Sequence, residues 1–88
     1  GELRSSFYLH IEVDDRPGVL AHVAERLAAE GVSIARLTQR QLREGASLDV
    51  VTHDASTGRV HAAAGAIARL PEVHGAPEVM RVVSERGV

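Results

Sequence analysis

Cysteine and tryptophan are absent from this 88-residue sequence, and Phe7 and Tyr8 are its only aromatic residues. Without cysteine there is no disulfide, thiol nucleophile or thiolate metal ligand, which suits a reducing compartment and predicts a cytoplasmic protein. Lysine is also absent, and the ten arginines are spread from Arg4 to Arg86 against twelve acidic residues. The net charge of −2 therefore argues against nucleic-acid binding, which requires a clustered basic surface.

Long apolar runs are missing as well. No stretch approaches 18 consecutive apolar residues and no signal-peptide pattern is present, so we expect a soluble protein with no membrane partner. The length predicts one domain, and the scarcity of aromatics means that Val, Leu, Ile and Ala must form its core. The first residue is Gly1 rather than Met, a weak hint of a processed tag or of a piece cut from a longer protein.

The first half of the chain has the periodicity of a strand followed by a helix. Apolar residues occupy the positions Phe7, Leu9, Ile11 and Val13, and more polar residues lie between them. This alternation predicts a strand whose four apolar positions face the core. A helix follows Pro17 and Gly18, with an apolar stripe formed by Leu20, Val23, Ala24, Leu27 and Ala28. We expect Pro17 in the first helical position and Gly31 in the left-handed conformation that ends the helix.

The second half repeats the strand and helix elements. One strand is predicted over 32–42, with Val32 and Ile34 on the core side and a polar end that is typical of an edge strand. Another is predicted over 47–53, with Leu48, Val50 and Thr52 on one face. A loop over 54–58 leads to a helix stopped by Pro71 and lined by Val60, Ala63, Ala64, Ile67 and Leu70. Gly65 inside this helix suggests close packing, and the last strand covers 77–83.

This order predicts an α+β fold of the ferredoxin-like βαββαβ type. Right-handed crossovers give a four-stranded antiparallel sheet with both helices on one face. The other face carries Tyr8, His10, Glu12, Asp49 and Val51 and is either solvated or covered by a partner. We predict a linker over 1–6, the domain over 7–83 and a tail over 84–88.

The segment between the first strand and helix, "DDRPG", has two interpretations. It makes a good turn on geometry alone, and an Asp before Pro-Gly can cap a helix. It also makes a binding loop, because Gly18 allows close approach to the backbone and free N–H groups at a helix start attract a carboxylate. Asp14 or Asp15 would then hold an ammonium group. A carboxylate with an ammonium group describes an amino acid.

The longer segment "DRPGVLAHVAERLAAEGVSI" resembles the ACT domain, a small regulatory module that binds amino acids. The family pattern is an acidic or amide residue before Pro-Gly-Val-Leu, then Gly-hydrophobic-Asn/Ser-Ile at the next strand, here at residues 15, 17–20 and 31–34. The resemblance covers roughly residues 7–83. It implies amino-acid binding and allosteric control of a metabolic enzyme.

The second half is similar to the C-terminal regulatory domain of bacterial homoserine dehydrogenase. The matching residues are Thr52, His53, Leu70, Pro71 and Val73. The resemblance implies an NADP-dependent oxidoreductase of threonine and methionine biosynthesis, with threonine as feedback inhibitor. No Gly-x-Gly-x-x-Gly follows a strand, so we expect no catalytic residue and no cofactor in this chain, and NADP in a catalytic region outside it.

The resemblance also implies a ligand site. Its residues are Asp15, Arg16, Pro17, Gly18, Val19, Leu20 and Ser33. The backbone N–H groups of Gly18, Val19 and Leu20 would bind the carboxylate. Ser33 stands where many members carry Asn, and it would reach the loop across the interface of a homodimer or higher homo-oligomer formed through the sheet edge.

Other functions remain as alternatives. The chain would serve as an oligomerisation module, within the same enzyme or as a stand-alone ACT protein, if no small molecule binds. The five histidines include no i, i+2 or helical i, i+4 pair, so no metal site is predicted. Asp14 and Asp15 are adjacent and point apart on an extended backbone, so they do not form a catalytic pair.

Overall fold

A computed structural model describes residues 4–82 of the chain. The elements follow the order β1 (Arg4–Val13), α1 (Val19–Ala29), β2 (Ile34–Gln41), β3 (Ala46–Thr52), β4 (Ala55–Ser56), α2 (Thr57–Ala68) and β5 (Glu78–Val82). β1 lies centrally and pairs antiparallel with β3 and with β5, while β2 pairs antiparallel with β3 and forms an edge. The ferredoxin-like order and the antiparallel sheet are therefore confirmed.

One strand differs from the prediction. Residues 55 and 56, predicted as part of a loop, form the two-residue strand β4, which pairs with Arg4 and Ser5 of β1. Within residues 4–82 the sheet thus has five strands rather than four. Sequence patterns do not detect a two-residue strand, because two residues span only one period of the alternation and the pattern has no chance to repeat.

The core lies between the sheet and the two helices. The predicted alternation along β1 is confirmed, since Leu9 and Ile11 are fully buried. Buried side chains of both helices join the same apolar cluster, which includes Val23, Leu27, Val60 and Ile67. Both helices therefore cover one face of the sheet, and the packing uses mainly aliphatic side chains as the composition predicts.

Helix α1 begins later and is rotated relative to its prediction. Its first residue is Val19, with Gly18 as the N-cap residue, so Pro17 precedes the helix instead of occupying its first position. The buried face is formed by Val19, Val23 and Leu27, whereas Leu20 is 40% exposed and Ala28 is also exposed. The predicted stripe was wider than the surface that the sheet can cover.

The helix ends follow the sequence more closely. Gly31 has φ of 72°, and the N–H groups of Gly31 and Val32 donate to the carbonyls of Ala28 and Leu27, as in a Schellman motif. The apolar positions predicted for α2 are buried. Gly65 is exposed, with no neighbouring atom near its Cβ position, so the predicted close packing there is wrong.

The predicted linker over 1–6 overlaps the first strand of the structure. This strand begins at Arg4, so residues 4–6 of the predicted linker belong to the sheet. Residues 1–3, the last residue of the predicted domain and the predicted tail over 84–88 lie outside the described residues. No helix in the part of the chain that the structure describes is long and apolar enough to cross a membrane.

Candidate functional site

The β1–α1 loop lines an open cavity of about 390 Å³. The chain leaves the core at buried Val13, turns through the exposed residues 15–18, and re-enters the core at Val19. Six of the seven predicted site residues line this cavity: Asp15, Arg16, Pro17, Gly18, Val19 and Leu20. Gly18 has φ of 90° and open space at its Cβ position, so the backbone at the helix start is accessible to a ligand.

No side chain among residues 4–82 caps the N-terminus of α1. Its first intrahelical bond runs from the N–H of His22 to the carbonyl of Gly18, so the three preceding N–H groups have no partner within the helix. Helix α2 differs, since Ser56 caps it by accepting from the N–H of Arg59 at 3.3 Å. The uncapped end of α1 therefore presents donors and a partial positive charge at the cavity.

The two loop carboxylates are held differently. Asp14 places one oxygen 2.5 Å from Nε2 of His74 and the other 3.4 Å from Nε of Arg16. Asp15 accepts one hydrogen bond, 2.6 Å long, from the side-chain amide of Gln41. Both Asp14 oxygens are thus engaged, whereas one oxygen of Asp15 has no hydrogen-bond partner among the described residues.

The structure adds cavity residues that sequence reasoning missed. Gln39 and Leu48 line the cavity from β2 and β3. Gln39 and Gln41 lie two residues apart, hence on the same face of β2, and they were interpreted only as a polar edge. They continue the core-facing side of β2 from Leu37, which packs against the core. A polar residue is unusual on such a face, and this is the signal that would have identified them.

Ser33 does not join this cavity. It lies beside a second cavity of about 540 Å³ at the opposite end of α1, together with Ala24, Ala28 and Ile34. An 11-residue helix is about 16 Å long, so one chain does not bring Ser33 to the loop. The predicted convergence with the loop requires a second copy.

The open face of the sheet carries a separate polar cluster. Tyr8 Oη donates to Asp49 Oδ1 at 2.6 Å, and His10 Nδ1 lies 2.8 Å from the same oxygen. The hydrogen bonds from Tyr8 and His10 lower the pKa of Asp49. Its carboxylate in turn raises the pKa of His10, with a smaller contribution from Glu12, and the pKa of Tyr8. All four residues lie on the face opposite the helices.

Metal-binding groups are not assembled in the described range. Among residues 4–82, no three His, Cys, Asp or Glu side chains are placed to hold one metal ion. Three of the five histidines, His10, His22 and His74, instead contact carboxylates. In one of these pairs His22 Nδ1 lies 2.5 Å from Glu72 Oε2. The hydrogen bond from His22 is the main cause that lowers the pKa of Glu72.

Comparison with known proteins identifies the class to which this fold and loop belong. The ACT domain family matches residues 7–72, so the chain belongs to the ACT domain family. The ACT domain from the GTP pyrophosphokinase of Chlorobium tepidum has the same fold, with a TM-score of 0.70 over 91% of this chain and all of that one, at 10% identity.

Closer relatives are particular enzymes. Homoserine dehydrogenase of Mycobacterium leprae is 35% identical over 88 residues, which cover 93% of this chain and 20% of the enzyme. The crystal structure of a homoserine dehydrogenase from Thiobacillus denitrificans has a TM-score of 0.81 at 31% identity, over 91% of this chain and 18% of that one. The resemblance to homoserine dehydrogenase is thus confirmed, and the chain spans about a fifth of the length of these relatives.

Proposed function

We propose that this chain is the regulatory amino-acid-binding domain of a homoserine dehydrogenase and that threonine is its ligand. The observation that carries the proposal is the uncapped N-terminus of α1, which faces a cavity of about 390 Å³ beside Asp15. Donors for a carboxylate and an acceptor for an ammonium group are adjacent there. An amino acid supplies both groups at fixed separation, and the relatives supply the metabolic context.

The proposed ligand lies with its carboxylate on the N–H groups of Gly18, Val19 and Leu20. Its ammonium group binds the second oxygen of Asp15. The side chain of the ligand extends toward Gln39, whose amide both donates and accepts hydrogen bonds and so suits a hydroxyl group. Arg16 balances the charge of Asp14, and Pro17 fixes the backbone ahead of Gly18.

The proposed assembly is a homodimer, or a higher homo-oligomer, formed through the β2 edge. Within the described part of the chain, β2 pairs with β3 on one side only, so its other edge can pair with a second copy. The side of α1 formed by Leu20, Ala24 and Ala28 is not buried in this chain. A second copy that covers this side would bring its Ser33 toward the loop, which a single chain cannot do.

Catalysis is proposed for the rest of the parent enzyme. This chain does not fit a dinucleotide, because its sheet is antiparallel and its strand-to-helix turn has a single glycine where the nucleotide fingerprint has three. We therefore place NADP and the homoserine chemistry outside it. The role of this domain is feedback control of threonine and methionine biosynthesis in the cytoplasm.

A second function has support from the β2 edge. An oligomerisation module needs that edge and the exposed side of α1, but no ligand. The two functions differ in one respect, since only the first predicts that an amino acid stabilises the fold. The uncapped end of α1 favours the first, because a purely structural turn gains about 1 kcal/mol from a cap.

Thermal unfolding with a panel of amino acids tests this function. Threonine at about one hundred times its dissociation constant adds roughly 2.7 kcal/mol, which raises Tm on the order of 10 °C for a domain of this size. Valine has the shape of threonine without the hydroxyl group and serves as the matched control, for which we expect a smaller shift. A shift with a different amino acid would change the pathway, and no shift with any would favour the oligomerisation module.

A further inference from the structure

The connection between α2 and β5 is bound to the point where β1 becomes the ligand loop. Val13 and Val73 form an antiparallel bridge, and both are buried. Two backbone hydrogen bonds flank this bridge: the N–H of Asp14 donates to the carbonyl of Glu72 at 2.8 Å, and that of His74 to the carbonyl of Glu12 at 2.7 Å. Residues 72–74, named here the clasp, thus fix the backbone on which the loop begins.

Side chains of the clasp extend this attachment into the loop. His74 Nε2 lies 2.5 Å from Asp14 Oδ1, while Arg16 Nε lies 3.4 Å from Asp14 Oδ2. Asp14 therefore links the clasp to the loop residue that precedes Pro17. Neither His74 nor Glu72 lines the cavity, so a role for either in binding would act through the position of the loop.

Glu72 attaches the clasp to the helix that carries the proposed carboxylate donors. Its side chain is buried, and Oε2 lies 2.5 Å from Nδ1 of His22 in α1. His22 is also the residue whose N–H makes the first hydrogen bond of that helix. The clasp therefore contacts both sides of the binding site, the loop through Asp14 and the helix start through His22.

We propose that the clasp holds the β1–α1 loop in the shape that binds the ligand, with His74 and Glu72 as positioning residues. The ligand part of this inference rests on the proposed function, whereas the ordering of the loop does not. β5 begins at Glu78, four residues after His74. Because coupling is reciprocal, a ligand that orders the loop also orders the connection that leads into β5.

The test compares His74→Ala, His74→Gln and Glu72→Gln with His61→Ala, which changes an exposed histidine of α2. Amide hydrogen exchange of the full chain at residues 14 and 22, whose N–H groups are hydrogen-bonded at the two ends of the loop, reports loop order without ligand, and calorimetry reports the Kd for threonine. We expect His74→Ala to accelerate exchange at these two amides and to weaken threonine binding about fivefold. His74→Gln retains a donor and should recover part of both effects.

The outcomes separate the clasp from the proposed function. Faster exchange confined to residues 14 and 22 in His74→Ala and Glu72→Gln, with His61→Ala unchanged, supports the clasp even if the wild-type chain binds no amino acid. Exchange and Kd at wild-type values in both clasp variants would overturn it. Faster exchange spread evenly over the sheet would also overturn it, since that result shows a general loss of stability.

Discussion

At the scale of single residues, Gly18 fixes the shape of the backbone at the start of α1. Gly18 has φ of 90°, which side chains with a Cβ rarely adopt, and no atom lies near its Cβ position. A side chain placed at this position would therefore strain the backbone without disturbing the packing. The positive φ of Gly18 agrees with the glycine-dependent turn that Pro-Gly before an apolar helical pattern predicts, whereas close approach of a ligand there stays a prediction.

Replacement of Gly18 should lower stability and ligand response together. We expect Gly18→Ala to reduce the free energy of unfolding by about 1 kcal/mol, because alanine is strained at positive φ. Urea denaturation measures the change, and Gly65→Ala is the matched control. Gly65 lies in α2 with open space around it, so its replacement should instead stabilise the chain by up to about 1 kcal/mol. Equal effects at both positions would contradict this account of Gly18.

The pair of His10 and Asp49 should make stability depend on pH. The pKa of His10 is raised, so its contribution is complete below its ordinary value and is lost as pH rises through the folded-state pKa. The pKa of Asp49 is lowered, so its contribution is present above its ordinary value and is lost as pH falls through the folded-state pKa. The pair therefore stabilises the chain most between about pH 4 and pH 6.5.

Replacement of His10 by glutamine tests this window. The loss in unfolding free energy should be larger near pH 5.5 than near pH 8.5 by up to about 1 kcal/mol, the scale of an ion pair near the surface. Denaturation at both pH values gives the difference, and His61→Gln, on the exposed side of α2, should show none. A loss for His10→Gln that is the same at both values would exclude the ion pair as a source of pH dependence.

At the scale of elements, the periodicity predicted the order and the burial of the strands but not the rotation of α1. The alternation of β1 is confirmed because an antiparallel strand with one covered face places every second side chain in the core. The stripe predicted for α1 included Leu20 and Ala28, which remain exposed. An apolar pattern predicts which residues of a helix favour apolar contacts. It does not distinguish contacts within the chain from contacts with a partner.

The exposed side of α1 should therefore be an interface. We expect Ala28→Glu to convert the proposed dimer into a monomer, because it places a charge in the apolar contact between copies. Sedimentation measures the oligomeric state, and circular dichroism verifies that the helix content is retained. Ala62→Glu changes an exposed alanine of α2 and should leave the assembly intact. A wild-type chain that is monomeric, or a dimer that tolerates Ala28→Glu, would refute the interface.

At the scale of the whole molecule, the sequence predicted the fold class and part of the candidate site. The loop residues could be predicted because they are contiguous and carry a recognisable pattern. Glu72 and His74 could not be predicted, because they lie far from Asp14 along the chain and are brought to it by the bridge of Val73 with Val13. Ser33 is the reverse case, because the sequence pattern predicts it as a site residue but the structure of one chain places it at the far end of α1.

Binding of an amino acid at the start of α1 is tested by a threonine titration followed through the amide resonances of the ¹⁵N-labelled chain. We expect saturable shifts that are largest at Gly18, Val19 and Leu20, with the amides of α2 unaffected. Valine should produce the same pattern at higher concentration, because it retains both charged groups. Saturable shifts centred elsewhere, or no shift at these three amides with any amino acid, would contradict the claim that this loop binds an amino-acid carboxylate.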